Sequence, residues 1–358
     1  VRRLTGDCSG PRSAELVLQH PDVEVAVLET ARGGILRSGL GWDRSSVSVA
    51  LNLAGDHLGI SGIDTLEQLA RIKRVVVENV RRDGYGVLNA DDPLVAAMAP
   101  HCPGTVIFFG TDKGGPVMST HRAGGGRAVY LDGETSDPGS ARLVLADGRA
   151  ETVLTQVGDI PATLGGLVPF QTQNALAAAA ACWAGGLPPE VIKRGLATFY
   201  SSSEMAPGRF NMFRVNGAQV IADYGHNAHA HRAIQAAIRH LRPCRSIGVF
   251  SSPGDRRDAE VHELASVAAA TFDQIILYEG DNLRGREPGE IQRVIAEAVQ
   301  GIHPDLPIHI CSRESDAIAR ALEIVQPDDL LFINVANLDE SLAQIKRAAY
   351  NTADLSGP

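Results

Sequence analysis

The chain has 358 residues, 44% of them hydrophobic and 21% charged, which suits two or three ordinary globular domains with sizeable cores. Its net charge of −9, with no basic block interleaved with aromatics, argues against nucleic-acid binding. No apolar run reaches membrane-spanning length, no secretory signal is visible, and five scattered cysteines (Cys8, Cys102, Cys182, Cys244, Cys311) form no CxxC pair, so a reduced, cytoplasmic protein without a membrane partner is expected.

In chain order, apolar runs alternate with longer amphipathic stretches, the pattern of a mainly parallel α/β sheet. Strands are expected near 23–28, 47–51, 86–88 and 105–109, with a helical stretch over 65–82. From 117 to 157 short alternating runs split by glycine-rich and Asp-Gly turns predict an antiparallel appendage of hairpins. Helices are expected over 173–184 and 188–199. The polar, Pro/Gly-punctuated stretch 201–208 marks a domain boundary, giving domains 1–204 and 205–358. Beyond it, strands near 219–222, 246–250, 274–278, 308–311 and 330–333 alternate with helices as a second, Rossmann-like unit.

Two apolar runs of the first domain end abruptly in polar residues: Val25-Ala26-Val27-Leu28 into Glu29, and Val47-Ser48-Val49-Ala50-Leu51 into Asn52. Buried strands end this way when their carboxyl ends deliver side chains to a site. Asp56-His57 and Lys73 follow closely. Each has an ordinary reading alone: Glu29 as a turn or cap residue, His57 as surface or satisfied core, Lys73 as a solvated helix residue. Together they offer hard-cation chemistry at a phosphate site. The chain has only four lysines (Lys73, Lys113, Lys193, Lys346), and Lys73 sits between Arg71 and Arg74. Arginine cannot deprotonate, whereas a lysine amine can take up CO2 and become a carbamate.

The second half has its own constellation: Pro207-Gly208-Arg209-Phe210-Asn211, then Asp223-Tyr224-Gly225-His226-Asn227, then Ser252-Pro253-Gly254-Asp255-Arg256-Arg257-Asp258. Each alone reads as a strand-to-loop turn. In this combination and order, with Glu29 to Lys73 before them, the motifs resemble the Mur ligase superfamily, and within it the C-terminal ligase half of the cyanophycin synthetases. The resemblance covers essentially the whole chain. It implies a Mur-type central α/β domain with the β-rich insert and a Rossmann-like C-terminal domain. It implies ATP and Mg2+ as cofactors. Magnesium would be held by Glu29, His57 and a carbamylated Lys73, and nucleotide by Asn174 (adenine), Arg209 (phosphate), Asp223 (ribose) and Asn227, with His226 near the nucleotide. Asp255, Arg256 and Arg284, the last in Asp281-Asn282-Leu283-Arg284-Gly285-Arg286, would lie near substrate. Arg32 and Arg37 are candidates for steering an acidic polymer, with structural ion pairing as an equal alternative.

The implied reaction passes the γ-phosphoryl group of ATP to an aspartate side chain of a poly-aspartate backbone, and arginine then attacks the acyl-phosphate. Substrate would lie between the domains, closing about 201–207. Arginine and an acidic polypeptide are the expected partners, in a homo-oligomer of a longer chain. Two departures stand out. Asn227 is followed by Ala228 rather than proline, and the extra His229 and His231 are expected at the surface of a helix start. No glycine-rich phosphate loop ending in Gly-Lys-Thr/Ser precedes Lys73, and the chain starts on Val1, so a fragment of a longer ligase is expected. The alternatives are a Mur-like ligase with another amine acceptor and a non-catalytic binding or oligomerisation module.

Overall fold

Residues 8–55, 58–59, 62–133, 137–281 and 283–353 are described by a computed structural model. The chain divides into two compact units, Val1–Gly166 with Phe170–Thr198, and Leu167–Pro169 with Phe199–Pro358. Unit 1 runs α1 (Pro11–Leu18), α2 (Arg32–Ser38), β1 (Ser45–Ala50), α3 (Leu66–Lys73), α4 (Val75–Glu78), β2 (Val80–Asn89), α5 (Pro93–Ala96), β3 (Thr105–Gly110), α6 (Pro116–Ala123), β4 (Arg127–Asp132), β5 (Arg142–Asp147), β6 (Ala150–Gln156), α7 (Pro169–Ala184) and α8 (Pro189–Thr198).

The strands form one sheet in sequential order, parallel from β1 to β4 and antiparallel from β4 to β6. Alternation along each strand feeds two separate cores. Val87, Ile107, Phe109, Val129, Leu143 and Leu145 point to a core shared with α7 and α8. Their neighbours Leu88, Phe108, Ala128, Tyr130, Val144 and Ala146 point to a core with α4, α5 and α6. Burial on both faces is why these strands read as unbroken apolar runs. The hairpins therefore extend the parallel sheet itself, and their region begins with a helix, α6, before the first strand.

Two local expectations fail. The segment 23–28 forms no strand: Val25 and Val27 are 82% and 95% exposed. Its valine-rich pattern suits a strand, but no ladder partner flanks it, and β1 is the outermost strand on its side among the described residues. The helical stretch over 65–82 is broken. Thr65 and Gln68 form a capping box that starts α3, α4 ends at Glu78, and Val80 enters β2. The run Val75-Val76-Val77 followed by Asn79 suits the early stop, because β-branched residues crowd a helix.

Unit 2 contains β7 (Asn211–Val215), β8 (Ala218–Asp223), α9 (Ala228–Leu241), β9 (Arg245–Phe250), α10 (Asp258–Ala269), β10 (Gln274–Leu277), α11 (Glu290–Ile302), β11 (Ile308–Ile310), α12 (Glu314–Ile324), β12 (Asp329–Asn334) and α13 (Leu338–Ala353). Its sheet has the order β11-β10-β9-β12-β8-β7, parallel except for the β7–β8 hairpin, whose edge strand β7 has no counterpart among the expected strands. One face packs on α12 and α13 through Val220, Val249, Ile276, Leu331 and Ile333. The segment 201–208 packs within this unit. Asn211, fully buried, accepts from Gly208 N at 2.7 Å and donates to the Ser201 and Ala206 carbonyls, both at 2.9 Å. Among the described residues no helix is long and apolar enough to cross a membrane.

His231 departs from its expected surface position. His229 is exposed on the first turn of α9, but His231 is 2% exposed. Its ring stands edge-on to Phe250 and Phe332 at 5.2 and 5.4 Å, and neither ring nitrogen has a hydrogen-bond partner among the described residues. The helical spacing from Ala228 to His231 and Ile234 puts it on the buried stripe. Burial, with a smaller push from His226, pulls its pKa down to about 3 from 6.5. A depressed histidine supports the fold above its unfolded pKa and ceases to as pH falls from 6.5 towards 3. From pH 8 to pH 5 this site should cost unit 2 about 2 kcal/mol. Chemical denaturation of His231→Leu at both pH values should show that much less acid sensitivity; an unaltered pH dependence would contradict the assignment.

Candidate active site

In unit 2 the carboxyl ends of β8, β9, β10 and β12 line one edge of the sheet, where open α/β sheets bind ligands. Buried strand ends must place their last polar groups, and here side chains do so. Asn334, at the end of β12, donates to the Asp223 carbonyl at 3.3 Å and the Gly225 carbonyl at 3.0 Å. Tyr278, fully buried after β10, donates to the Asn334 carbonyl at 2.8 Å.

Asp223 ends β8, and its carboxylate is engaged with backbone. One oxygen accepts from Phe210 N at 2.8 Å and the other from Gly225 N at 2.7 Å. Phe210 is left-handed at φ 54°, a conformation few non-glycine residues hold without such an anchor. Burial pushes the Asp223 pKa up, against the pull of the Gly225 and Phe210 N–H groups and of Arg209. Asp223 thus fixes the turn that carries Arg209, whose exposed guanidinium lies 5.4 Å from the Tyr224 ring centre. Asn227 caps α9, its side-chain oxygen accepting from Ala230 N at 2.8 Å.

His226 and Arg256, from separate motifs, meet: Arg256 Nη2 lies 3.3 Å from His226 Nε2. An arginine only donates, so Nε2 accepts and Nδ1 carries the hydrogen, which it gives to the Tyr224 carbonyl at 3.1 Å. Arg256 is 4% exposed. Beside it, Asp255 pairs with Arg284 at 2.8 Å. Burial raises the Asp255 pKa, but Arg284 and then Arg256 outweigh it and leave the carboxyl below its ordinary value.

Unit 1 holds the remaining candidates. Glu29 is exposed just before α2, Arg32 opens that helix half-buried, and Arg37 lies exposed in its last turn. Arg37 folds back along its own helix, close enough that a Cβ on Gly33 would stand 3.4 Å from its Nη2. Lys73 is half-buried at the last position of α3. The adjacent Arg74 is committed to Glu78 at 2.6 Å and to His101 at 3.0 Å. Asn174 is exposed on α7 and donates to Gln171 at 3.1 Å. His57 lies outside the described residues. Among the described residues no group of three His, Cys, Asp or Glu side chains forms a cation site. The described donors of the expected magnesium set are one exposed carboxylate and one amine that gains oxygen only as a carbamate, which is hard-cation chemistry.

Comparison with known proteins agrees with this division. Residues 10–182 match the Mur ligase middle domain and residues 208–334 match the Mur ligase glutamate ligase domain. The chain belongs to the Mur ligase family. It is 41% identical over 342 residues to the cyanophycin synthetase of Synechocystis sp., covering 95% of this chain and 38% of that protein. It thus spans well under half the length of that relative. The Mur ligase fold is also seen in MurF of Thermotoga maritima in complex with ADP, at a TM-score of 0.57 and 18% identity over 86% of this chain and 63% of that one. A bifunctional folylpolyglutamate synthase/dihydrofolate synthase from Yersinia pestis, complexed with AMPPNP and Mn, matches at 0.58 and 17% over 87% and 62%.

Three residues of this Mur ligase edge have no place among the sequence candidates. Asn334 follows the buried run Leu330 to Ile333 just as Asn52 follows its own run, so the same signal points to it. Tyr224 sits inside a motif already recognised, and Arg286 two residues after Arg284. Replacing Asp223 with Ala would strand the Phe210 and Gly225 N–H groups. The expected cost in urea unfolding is about 1–3 kcal/mol, whereas a change under ~0.5 kcal/mol would mean the turn holds without it.

Proposed function

We propose that the chain is the amide-forming part of an ATP-dependent ligase that adds arginine to the aspartate side-chain carboxylates of a poly-aspartate backbone. The observation that carries the reading is the set of charged pairs at the carboxyl edge of unit 2, His226 with Arg256 and Asp255 with Arg284, in a chain 41% identical to a cyanophycin synthetase along nearly its whole length. The chemistry has two steps. A carboxylate oxygen takes the γ-phosphoryl group of ATP and ADP leaves. The amine nitrogen then attacks the acyl carbon, the C–O bond to phosphate breaks, and the nitrogen gives up a proton.

Such transfers ask a protein mainly for positioning and charge. Arg209, exposed and held by the Asp223-anchored turn, suits phosphate oxygens. Asp223 and Asn227 would meet the ribose side of the nucleotide, and Asn174 the adenine. Glu29, His57 and a carbamylated Lys73 would hold magnesium, which when bound neutralises charge on the phosphoryl oxygens. His226, with its Nε2 turned to Arg256, would stand near the nucleotide. Arg256, Arg284 and Asp255 would receive the acceptor, the carboxylate matching a guanidinium and the arginines a carboxylate. Arg32 and Arg37 would steer the acidic polymer.

ADP release should require arginine together with a poly-aspartate peptide and magnesium. Lys73→Ala should lower kcat by on the order of a hundredfold, formate or acetate should restore part of it, and Lys73→Arg should stay inactive. Equal turnover with another amine and none with arginine would replace the acceptor. A Lys73→Ala rate matching the parent would remove the carbamate.

A further inference from the structure

Two loops follow neighbouring strands of unit 2: residues 251–257 after β9, and 278–281 with 283–289 after β10. They touch through backbone, because a Cβ on Gly254 would fall inside contact distance of the Leu283 carbonyl oxygen. One side chain spans them. Arg286 Nε donates to the Gly254 carbonyl at 3.1 Å and Nη2 to the Arg256 carbonyl at 2.7 Å. Nη2 also meets Asp258 at 2.7 Å, and Nη1 donates to Glu290 at 2.8 Å. Asp258 and Glu290 open α10 and α11, so the guanidinium ties both loops to the two helix starts they lead into. Its side chain is 14% exposed, and the Glu290 and then the Asp258 hydrogen bonds raise its pKa.

The two carbonyls it holds flank Asp255, the residue paired with Arg284. Arg284 is itself left-handed at φ 49°, a turn that Gly285 at φ 94° continues. The same brace fixes the backbone of Arg256, whose side chain runs the other way to His226. We propose that Arg286 is a positioning residue for the amine acceptor, setting the Asp255–Arg284 pair relative to the His226–Arg256 pair without touching substrate. This rests on the ligase reading, in which these pairs receive the acceptor. A lysine cannot replace it: one ammonium is a point donor, while the planar fork serves four acceptors in fixed directions.

The test is Arg286→Lys, with Glu290→Gln as a milder variant that keeps an acceptor for Arg286 but removes its charge. In the active enzyme Arg286→Lys should raise the acceptor KM at least tenfold, leave kcat within twofold and leave the nucleotide KM unchanged. Glu290→Gln should raise the acceptor KM by less. Hydrogen exchange at amides 255–257 and 284–285 should speed up about tenfold in Arg286→Lys, with the β9 and β10 amides unchanged. An unaltered acceptor KM, or an equal loss for every substrate, would overturn the positioning role. Unaltered exchange would overturn the brace. If the parent protein releases no ADP in response to any amine, the ligase reading fails and the acceptor role with it, while the exchange comparison decides the brace separately.

Discussion

Strands buried on both faces have nowhere to send their last polar groups except into the loops beyond their ends, and unit 2 is organised around that constraint. Asn334, Tyr278 and Asp223 each spend side-chain hydrogen bonds on backbone at strand termini. An unmet buried N–H or C=O costs about as much as a lost hydrogen bond, so these contacts decide loop conformation more firmly than any loop residue's own preference. The charged pairs sit on that scaffold. Their geometry is inherited from the sheet.

Electrostatics divides the labour in the same region. Burial raises the Asp223 pKa against the pull of two N–H groups, whereas Arg284 and then Arg256 hold the Asp255 carboxyl below its ordinary value. The first carboxylate is anchored by backbone, and the second sits in a partly exposed ion pair of a kind that contributes little on its own. The arginines differ too. Arg209 lies exposed over an aromatic ring, Arg256 is buried against a histidine, and Arg286 is spent on carbonyls and carboxylates. Composition alone assigns all three the same charge, but only their surroundings separate a ligand-facing guanidinium from a structural one.

That distinction marks how far the sequence could be read. The alternation of strands and helices was legible because strand ends and Gly/Pro punctuation leave local traces. The segment 23–28 misled because pattern records what a side chain suits, whereas a strand exists only if a neighbour supplies a ladder. The helix over 65–82 failed at its end, because the capping box fixes where it starts while the valine run and Asn79 stop it before β2. His231 was hidden by its company: His226 and His229 just before it made a surface tract look natural, though helical spacing from Ala228 set it inward.

The backbone contact between Gly254 and Leu283 also bears on how such enzymes could be redesigned. A loop is usually treated as a module that can be lengthened or exchanged while its scaffold stays fixed. Here the two loops share one contact surface and one guanidinium, and each supplies half of an ion pair. A graft of either loop alone would bring a surface shaped for a partner that is no longer there. The unit of exchange is the pair, taken together with the first turns of α10 and α11.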